Sequence, residues 1–97
     1  MEYQLRRFRI APGRLDEFID AGKAGVVPLR ERFGFQIHGA WSIEESNEFV
    51  WVISYDGPDG FDAADAAYYA SEERRRLSPD PAEHIASAEK ASAQRVV

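Results

Sequence analysis

Residues 48–55 read Glu-Phe-Val-Trp-Val-Ile-Ser-Tyr, and this stretch decides the fold. Every position from Phe49 to Ile53 is apolar, and the stretch contains no glycine or proline. A short apolar run without alternation, rich in β-branched and aromatic residues, is typical of a strand covered on both faces. We therefore predict a central strand in which Trp51 is largely buried.

The elements before this strand complete one half of a sheet. Residues 2–10 alternate in polarity, which predicts a first strand with Gln4 and Arg6 on the same face as Phe8. Residues 14–33 carry an apolar stripe at helical spacing, and Pro28 is expected to kink that helix. Residues 35–42 predict a second strand, with Ile37 and Trp41 on one face.

The elements after the central strand complete the order β-α-β-β-α-β. Residues 60–70 predict a helix, and residues 72–77 a short polar helix whose charged run Glu72–Arg76 is a solvated face. The pattern Asp80-Pro81-Ala82-Glu83 predicts a capped helix to about residue 90, followed by a last strand over 93–97. One sheet with helices on one face, an α+β ferredoxin-like sandwich, is the economical arrangement of this order.

Composition restricts the function more than it reveals it. The chain has 97 residues, 44% of them apolar, so we expect a single domain over 1–97 with a real core. Its net charge of −5 argues against nucleic acid as the main partner. The absence of cysteine excludes disulfides and thiolate chemistry. Neither a signal peptide nor an apolar run of about 20 residues is present, so we expect a cytoplasmic protein without a membrane partner.

A homodimer follows from the central strand. Helices cover one face of a ferredoxin-like sheet, yet Val50 and Val52 point to the other face from Trp51. A second copy of the chain is the simplest cover for that face, since two-fold dimers are the commonest oligomers.

Four ordered stretches resemble the NIPSNAP family and together cover nearly the whole chain. They are Tyr3-Gln4-Leu5-Arg6-Arg7-Phe8 followed by Pro12-Gly13-Arg14, then Pro28-Leu29-Arg30-Glu31-Arg32-Phe33-Gly34-Phe35, then Gly39-Ala40-Trp41, and Asn47-Glu48-Phe49-Val50-Trp51-Val52-Ile53-Ser54-Tyr55-Asp56. The resemblance implies a dimeric α/β barrel of the kind shared with small cofactor-free monooxygenases. It implies no particular reaction.

Five residues are candidates for binding a ligand. Arg6, with Gln4 beside it on the same strand face, could hold an anion bidentately, or form an internal salt bridge instead. His38 could act as a general base, although a partly exposed or dimer-interface histidine is more common. Trp51 could line an aromatic pocket, or lie in the core or at the dimer interface. Tyr68 could place its hydroxyl at a cavity rim, or its helix could pack closely on the sheet.

Two functions remain open from the sequence. The first is a pocket between sheet and helices that binds a small apolar or aromatic molecule, with cofactor-free oxygenation or isomerisation as the chemistry if it is an enzyme. The second is a non-catalytic dimeric scaffold for another protein. We expect no cofactor, and the two histidines lack a carboxylate at ligand spacing, so we expect no metal site. An enclosed cavity with converging polar groups would favour the first function.

Overall fold

The structure is a computed structural model that describes residues 2–97. Its strands and α-helices are β1 (Glu2–Ile10), α1 (Leu15–Ala21), α2 (Val27–Arg32), β2 (Gln36–Ile43), β3 (Glu48–Tyr55), α3 (Phe61–Ala70), α4 (Glu72–Arg75) and β4 (Ile85–Ala93). A π-helical turn, Gly22–Val26, joins α1 to α2, and single 3-10 turns at Glu44–Ser46 and Pro81–His84 precede β3 and β4. The order is the predicted α+β, ferredoxin-like arrangement.

The four strands form one antiparallel sheet in the order β2-β3-β1-β4. In its centre, Arg6 of β1 lies opposite Trp51 of β3 on one side and Lys90 of β4 on the other. Because side chains alternate along a strand, these three residues share the face that the helices cover. The opposite face, here called the outer face, carries Leu5 and Val52 from the same two central strands.

The register of β2 differs from the sequence prediction. Ile37 pairs with Ile53, but Gly39 pairs with Val52, so the strand bulges at His38. A bulge adds one residue to one strand and reverses the alternation beyond it. Trp41 therefore lies opposite Val50 on the outer face, and the prediction that it shares a face with Ile37 was wrong.

The long helix predicted over 14–33 is divided by the π-helical turn. Pro28 has no N–H to donate into a preceding turn, and it stands at the start of α2, directly after the turn. Gly34 follows α2 with φ +92°, a conformation that favours glycine and ends the helix.

The prediction for the C-terminal region was wrong. Residues 81–90 were expected to be helical, with a strand over 93–97, but only Pro81–His84 forms a 3-10 turn and the strand spans Ile85–Ala93. This segment is rich in alanine, which favours helix locally. Pairing with the whole length of β1 overrides that preference, because the sheet would otherwise end at β1.

The core lies between the helices and the covered face of the sheet. Phe8 and Ile53 from the strands pack with Leu29 and Tyr68 from the helices. Trp51 belongs to the same cluster and is 5% exposed, which confirms the predicted burial of its side chain. No helix in the described residues is long and apolar enough to cross a membrane.

Candidate functional site

A cavity of about 420 Å³ opens between the helices and the covered face of the sheet; we call it the helix-side cavity. Most of its wall is apolar. The apolar side chains come from both layers and include Phe8, Phe18, Ile19, Val26, Phe49 and Ile85. The volume falls within the roughly 300–1,000 Å³ of ordinary small-molecule sites.

The charged residues of the cavity wall are all cationic. They are Lys23, Arg30, Arg74 and Lys90, and no aspartate or glutamate lines the cavity. The two arginines are buried, whereas the two lysines are exposed. An apolar cavity with a few cations and no carboxylate is suited to a ligand that carries negative charge.

A buried charge cluster stands at this wall, where Asp65 of α3 bridges two arginines. Its Oδ1 accepts a hydrogen bond from Arg30 Nη1 at 2.6 Å, and its Oδ2 lies 3.0 Å from Arg6 Nη2, an ion pair that falls short of hydrogen-bond geometry. The Tyr69 hydroxyl accepts from Arg6 Nη1 at 3.3 Å and Arg30 Nη2 at 3.2 Å. Arg6 Nε also donates to Gln4 Oε1 at 2.6 Å. Each arginine is only 1% exposed.

The two arginines keep Asp65 ionised. Partial burial by itself would raise the pKa of the Asp65 carboxyl. The hydrogen bond and charge of Arg30, followed by the charge of Arg6, outweigh that effect and hold the pKa below its ordinary value. Two guanidinium groups therefore share one carboxylate, and the cluster keeps one uncompensated positive charge.

Arg30 is held rigidly by aromatic rings. Its guanidinium carbon lies 3.9 Å from the centroid of the Tyr68 ring and 4.6 Å from that of Phe35. Such contacts stabilise a buried cation and fix its orientation. Since Tyr68 and Arg30 both line the helix-side cavity, this cation forms a fixed part of the wall.

Several donors on the wall have no hydrogen-bond partner. Among the described residues these atoms include Arg30 Nε, Arg74 Nε, Trp51 Nε1 and the Tyr68 hydroxyl. Burial raises the pKa of the Tyr68 hydroxyl, opposed by the charges of Arg30 and Arg74, so the hydroxyl stays protonated at neutral pH. Arg74 comes near enough to Tyr68 to influence that pKa, but the pair does not reach hydrogen-bond geometry.

The fold and the resemblance are confirmed by comparison with known proteins. The NIPSNAP family model matches residues 3–95. The chain belongs to the NIPSNAP family. No curated protein matches the chain.

Solved structures share the fold at low sequence identity. A NIPSNAP domain protein from Burkholderia xenovorans has a TM-score of 0.84 at 17% identity, covering 99% of this chain and 95% of that one. A NIPSNAP family protein of unknown function from Agrobacterium tumefaciens has a TM-score of 0.83 at 18% identity, covering 96% and 86%. A putative antibiotic biosynthesis monooxygenase from Bacteroides thetaiotaomicron has a TM-score of 0.72 at 20% identity, covering 99% and 90%. At these identities the likeness shows the fold alone.

Two of the five candidate residues in this NIPSNAP chain line the helix-side cavity, namely Trp51 and Tyr68. Arg6 and Gln4 do not line it. The Arg6 guanidinium is enclosed by Tyr69, to which it donates a hydrogen bond, and by Asp65, with which it forms an ion pair. Arg6 is therefore connected to the cavity wall only through these groups. The internal salt bridge, left open from the sequence, is thus the arrangement found for Arg6.

His38 lies away from the helix-side cavity. It lines a separate hollow of about 350 Å³ with Tyr3 and Val52, both of which belong to the outer face. His38 Nε2 and Ser54 Oγ are 2.6 Å apart. Ser54 is fully buried, so its hydroxyl cannot reach a substrate, and the contact fixes the histidine ring rather than forming a nucleophilic pair.

Sequence reasoning missed the most important members of the site. Arg30 and Asp65 each occupy a position on the apolar stripe of their helix, which was the available signal: Arg30 follows Val26 by four residues, and Asp65 precedes Tyr68 by three. Arg74 was assigned to a solvated face, but it is 8% exposed, because its guanidinium pairs with Asp80 and lies near the Tyr68 and Tyr69 rings. Within residues 2–97, no group of three or more histidine, aspartate or glutamate side chains is placed to hold a metal ion.

Proposed function

We propose that this NIPSNAP protein binds a small, largely apolar or aromatic molecule in the helix-side cavity. The observation that carries the proposal is the cavity itself: about 420 Å³, walled by apolar and aromatic side chains, with a few fixed polar groups converging on it. A scaffold protein would have no need to leave such a volume unfilled, since protein interiors are otherwise closely packed.

Any chemistry in the cavity is proposed to be cofactor-free isomerisation or oxygenation, with dioxygen as the oxidant in the second case. Both reactions pass through an anion formed when the substrate loses a proton, and because no carboxylate or histidine of the described residues lines the cavity, that proton would pass to solvent water at the cavity opening. The cationic wall, with Arg30 fixed against Tyr68, supports this idea because preorganised positive charge stabilises such an anion.

Binding can be tested with N-phenyl-1-naphthylamine, a neutral aromatic dye whose fluorescence rises in an apolar site. Gly22 lines the cavity, and a side chain added there would meet no atom within 4 Å at its Cβ. We expect the wild type to bind the dye and Gly22→Phe to bind it at least about tenfold more weakly, because the new ring occupies the cavity. The measurement is a fluorescence titration.

The matched control is Ala24→Phe, which adds the same ring to the same π-helical turn. Ala24 is exposed and does not line the cavity, so dye binding should be unchanged. Absence of dye binding by the wild type, or equal binding by the wild type and Gly22→Phe, would contradict the proposal.

We also propose that the protein is a homodimer paired through the outer face. Leu5 is 37% exposed and Trp41 56% exposed on that face, and Val50 and Val52 lie between them. An exposed apolar surface of this kind is typical of an interface. Sedimentation velocity at micromolar concentration should show a dimer, and Leu5→Glu should shift it towards monomer. A wild-type monomer under those conditions would rule the dimer out.

A further inference from the structure

We propose that the ligand of the helix-side cavity is an aromatic or apolar monocarboxylate, whose carboxylate lies beside Arg30 and Arg74. This inference rests on the proposed function and names the chemical class of the molecule bound there. Three independent observations support it: the sign of the charge on the wall, the unfilled donors of the two arginines, and the apolar remainder of the cavity.

The first observation is a local reversal of charge. The whole chain has 12 basic and 17 acidic residues, for a net charge of −5. The cavity wall carries two arginines, two lysines and no acid. A charged cleft attracts ligands of the opposite sign, and its apolar walls strengthen the field within it. The protein thus concentrates positive charge at this one place, against its overall composition.

The second observation is that both buried arginines have donors to spare. Arg30 uses Nη1 on Asp65 and Nη2 on Tyr69, and its Nε has no partner. Arg74 places Nη2 3.1 Å from Asp80 Oδ1, and its Nε likewise has no partner. Buried donors are nearly always satisfied in native proteins. Both Nε atoms are enclosed, with almost no accessible surface, in residues that line the cavity. A small shift of either guanidinium would let a ligand supply the missing acceptor.

The two arginines lie near the same pair of aromatic rings. Their guanidinium carbons lie 3.9 Å and 6.0 Å from the centroid of the same Tyr68 ring, and 5.2 Å and 5.5 Å from that of Tyr69. The Tyr68 hydroxyl and Trp51 Nε1, also unpartnered, belong to the same wall. The residues of this wall therefore hold several unpartnered donors, two of them charged.

The third observation decides between a carboxylate and a more highly charged group. A carboxylate has two acceptor oxygens in one plane, so it can accept from more than one of the unpartnered donors while bringing a single negative charge. A phosphate or a dianion would bring more charge into a cavity whose other walls are Phe8, Phe18, Phe49 and similar side chains, where that charge would lose its hydration without gaining partners. A molecule with one carboxylate on an aromatic or aliphatic body would suit both the cationic and the apolar parts of the cavity wall.

The test compares two probes of nearly equal shape, naphthalene-2-carboxylate and naphthalene-2-carboxamide, as competitors of N-phenyl-1-naphthylamine. We expect the wild type to bind the carboxylate about 10- to 100-fold more tightly than the carboxamide, the range expected for a hydrogen bond to a charged group. Arg74→Met keeps most of the side-chain length and removes the charge, so it should abolish this preference while binding of the carboxamide persists.

The control variant is Arg75→Met, the neighbouring residue, which is exposed and does not line the cavity; it should keep the preference. Equal affinity of the wild type for the two naphthalene probes would overturn the inference, and so would an equal loss of preference in both arginine variants. If both probes displace the dye equally, the proposed function stands without this inference. If no dye binds at all, the proposed function itself fails. The wild-type comparison needs no variant, so it remains decisive even if Arg74→Met is poorly folded.

Discussion

Replacing Asp65 by alanine is expected to lower the free energy of unfolding by about 3–5 kcal/mol. The substitution removes the one carboxylate shared by Arg6 and Arg30, both of which are 1% exposed. Neither guanidinium could regain its hydration without opening the layer between α3 and the sheet. The measurement is chemical denaturation at a fixed protein concentration, because any dimer makes the midpoint depend on concentration.

The same helix provides the control. Asp62 lies in the first turn of α3 and is exposed, so Asp62→Ala loses only a favourable interaction with the helix N-terminus, about 0.3–1 kcal/mol. Similar losses in the two variants would show that the bridge contributes nothing beyond an ordinary surface carboxylate.

The Asp65 bridge also predicts a pH dependence. Because the pKa of Asp65 is lowered in the folded state, the unfolded chain takes up a proton at a higher pH than the folded one. The stabilisation that the Asp65 carboxylate contributes to the folded state is therefore complete above the ordinary aspartate pKa of 3.8. It is lost as the pH falls through the lower pKa that Asp65 has in the folded state. Asp65→Asn should lack this part of the acid sensitivity.

Trp51→Ala is the second substitution with a large expected effect, a loss of about 3–5 kcal/mol in the free energy of unfolding. Trp51 is 5% exposed on the central strand, and its ring centroid is 6.1 Å from that of Phe49. The guanidinium carbon of Arg30 lies 6.0 Å from the centroid of the Trp51 ring. Truncation would leave a void joined to the helix-side cavity and would remove one aromatic contact of the buried cation.

Trp51→Phe is the matched control. The indole Nε1 makes no hydrogen bond within the protein, so phenylalanine loses ring volume but no protein partner. We expect a clearly smaller loss than for alanine, again by chemical denaturation. An alanine variant as stable as the wild type would mean that Trp51 does not support the core.

The sheet could be predicted largely from the sequence, because the polarity pattern of strands β1 and β3 reflects which of their faces are buried. Alternation marks a strand with one covered face, and the unbroken apolar run of Phe49–Ile53 marks a central one. Residues 85–93 could not be read in the same way, since alanine and serine carry little preference for one face, and pairing with β1 decides their conformation.

The candidate site was predicted less well. Trp51 and Tyr68 were found because an aromatic side chain in a central strand or on the apolar stripe of a helix is expected to be buried. Arg30 and Asp65 sit on comparable stripes, but a lone charged residue there is ambiguous until its partner is known, and theirs is 35 positions away in the chain. Such pairs become visible only when the helices are packed side by side.

The π-helical turn at Gly22–Val26 has a consequence for comparing this chain with its relatives. A π turn accommodates one residue more than an α-helical path of the same course. A relative shorter by one residue here can wind as a continuous α-helix along the same course, so its later side chains keep their orientation. A chain that keeps all the residues but lacks the π turn would instead have each later side chain rotated by about 100° around the helix axis, which would carry Arg30 away from Asp65. A one-residue alignment gap within these five positions is therefore compatible with the same pairing of arginine and aspartate.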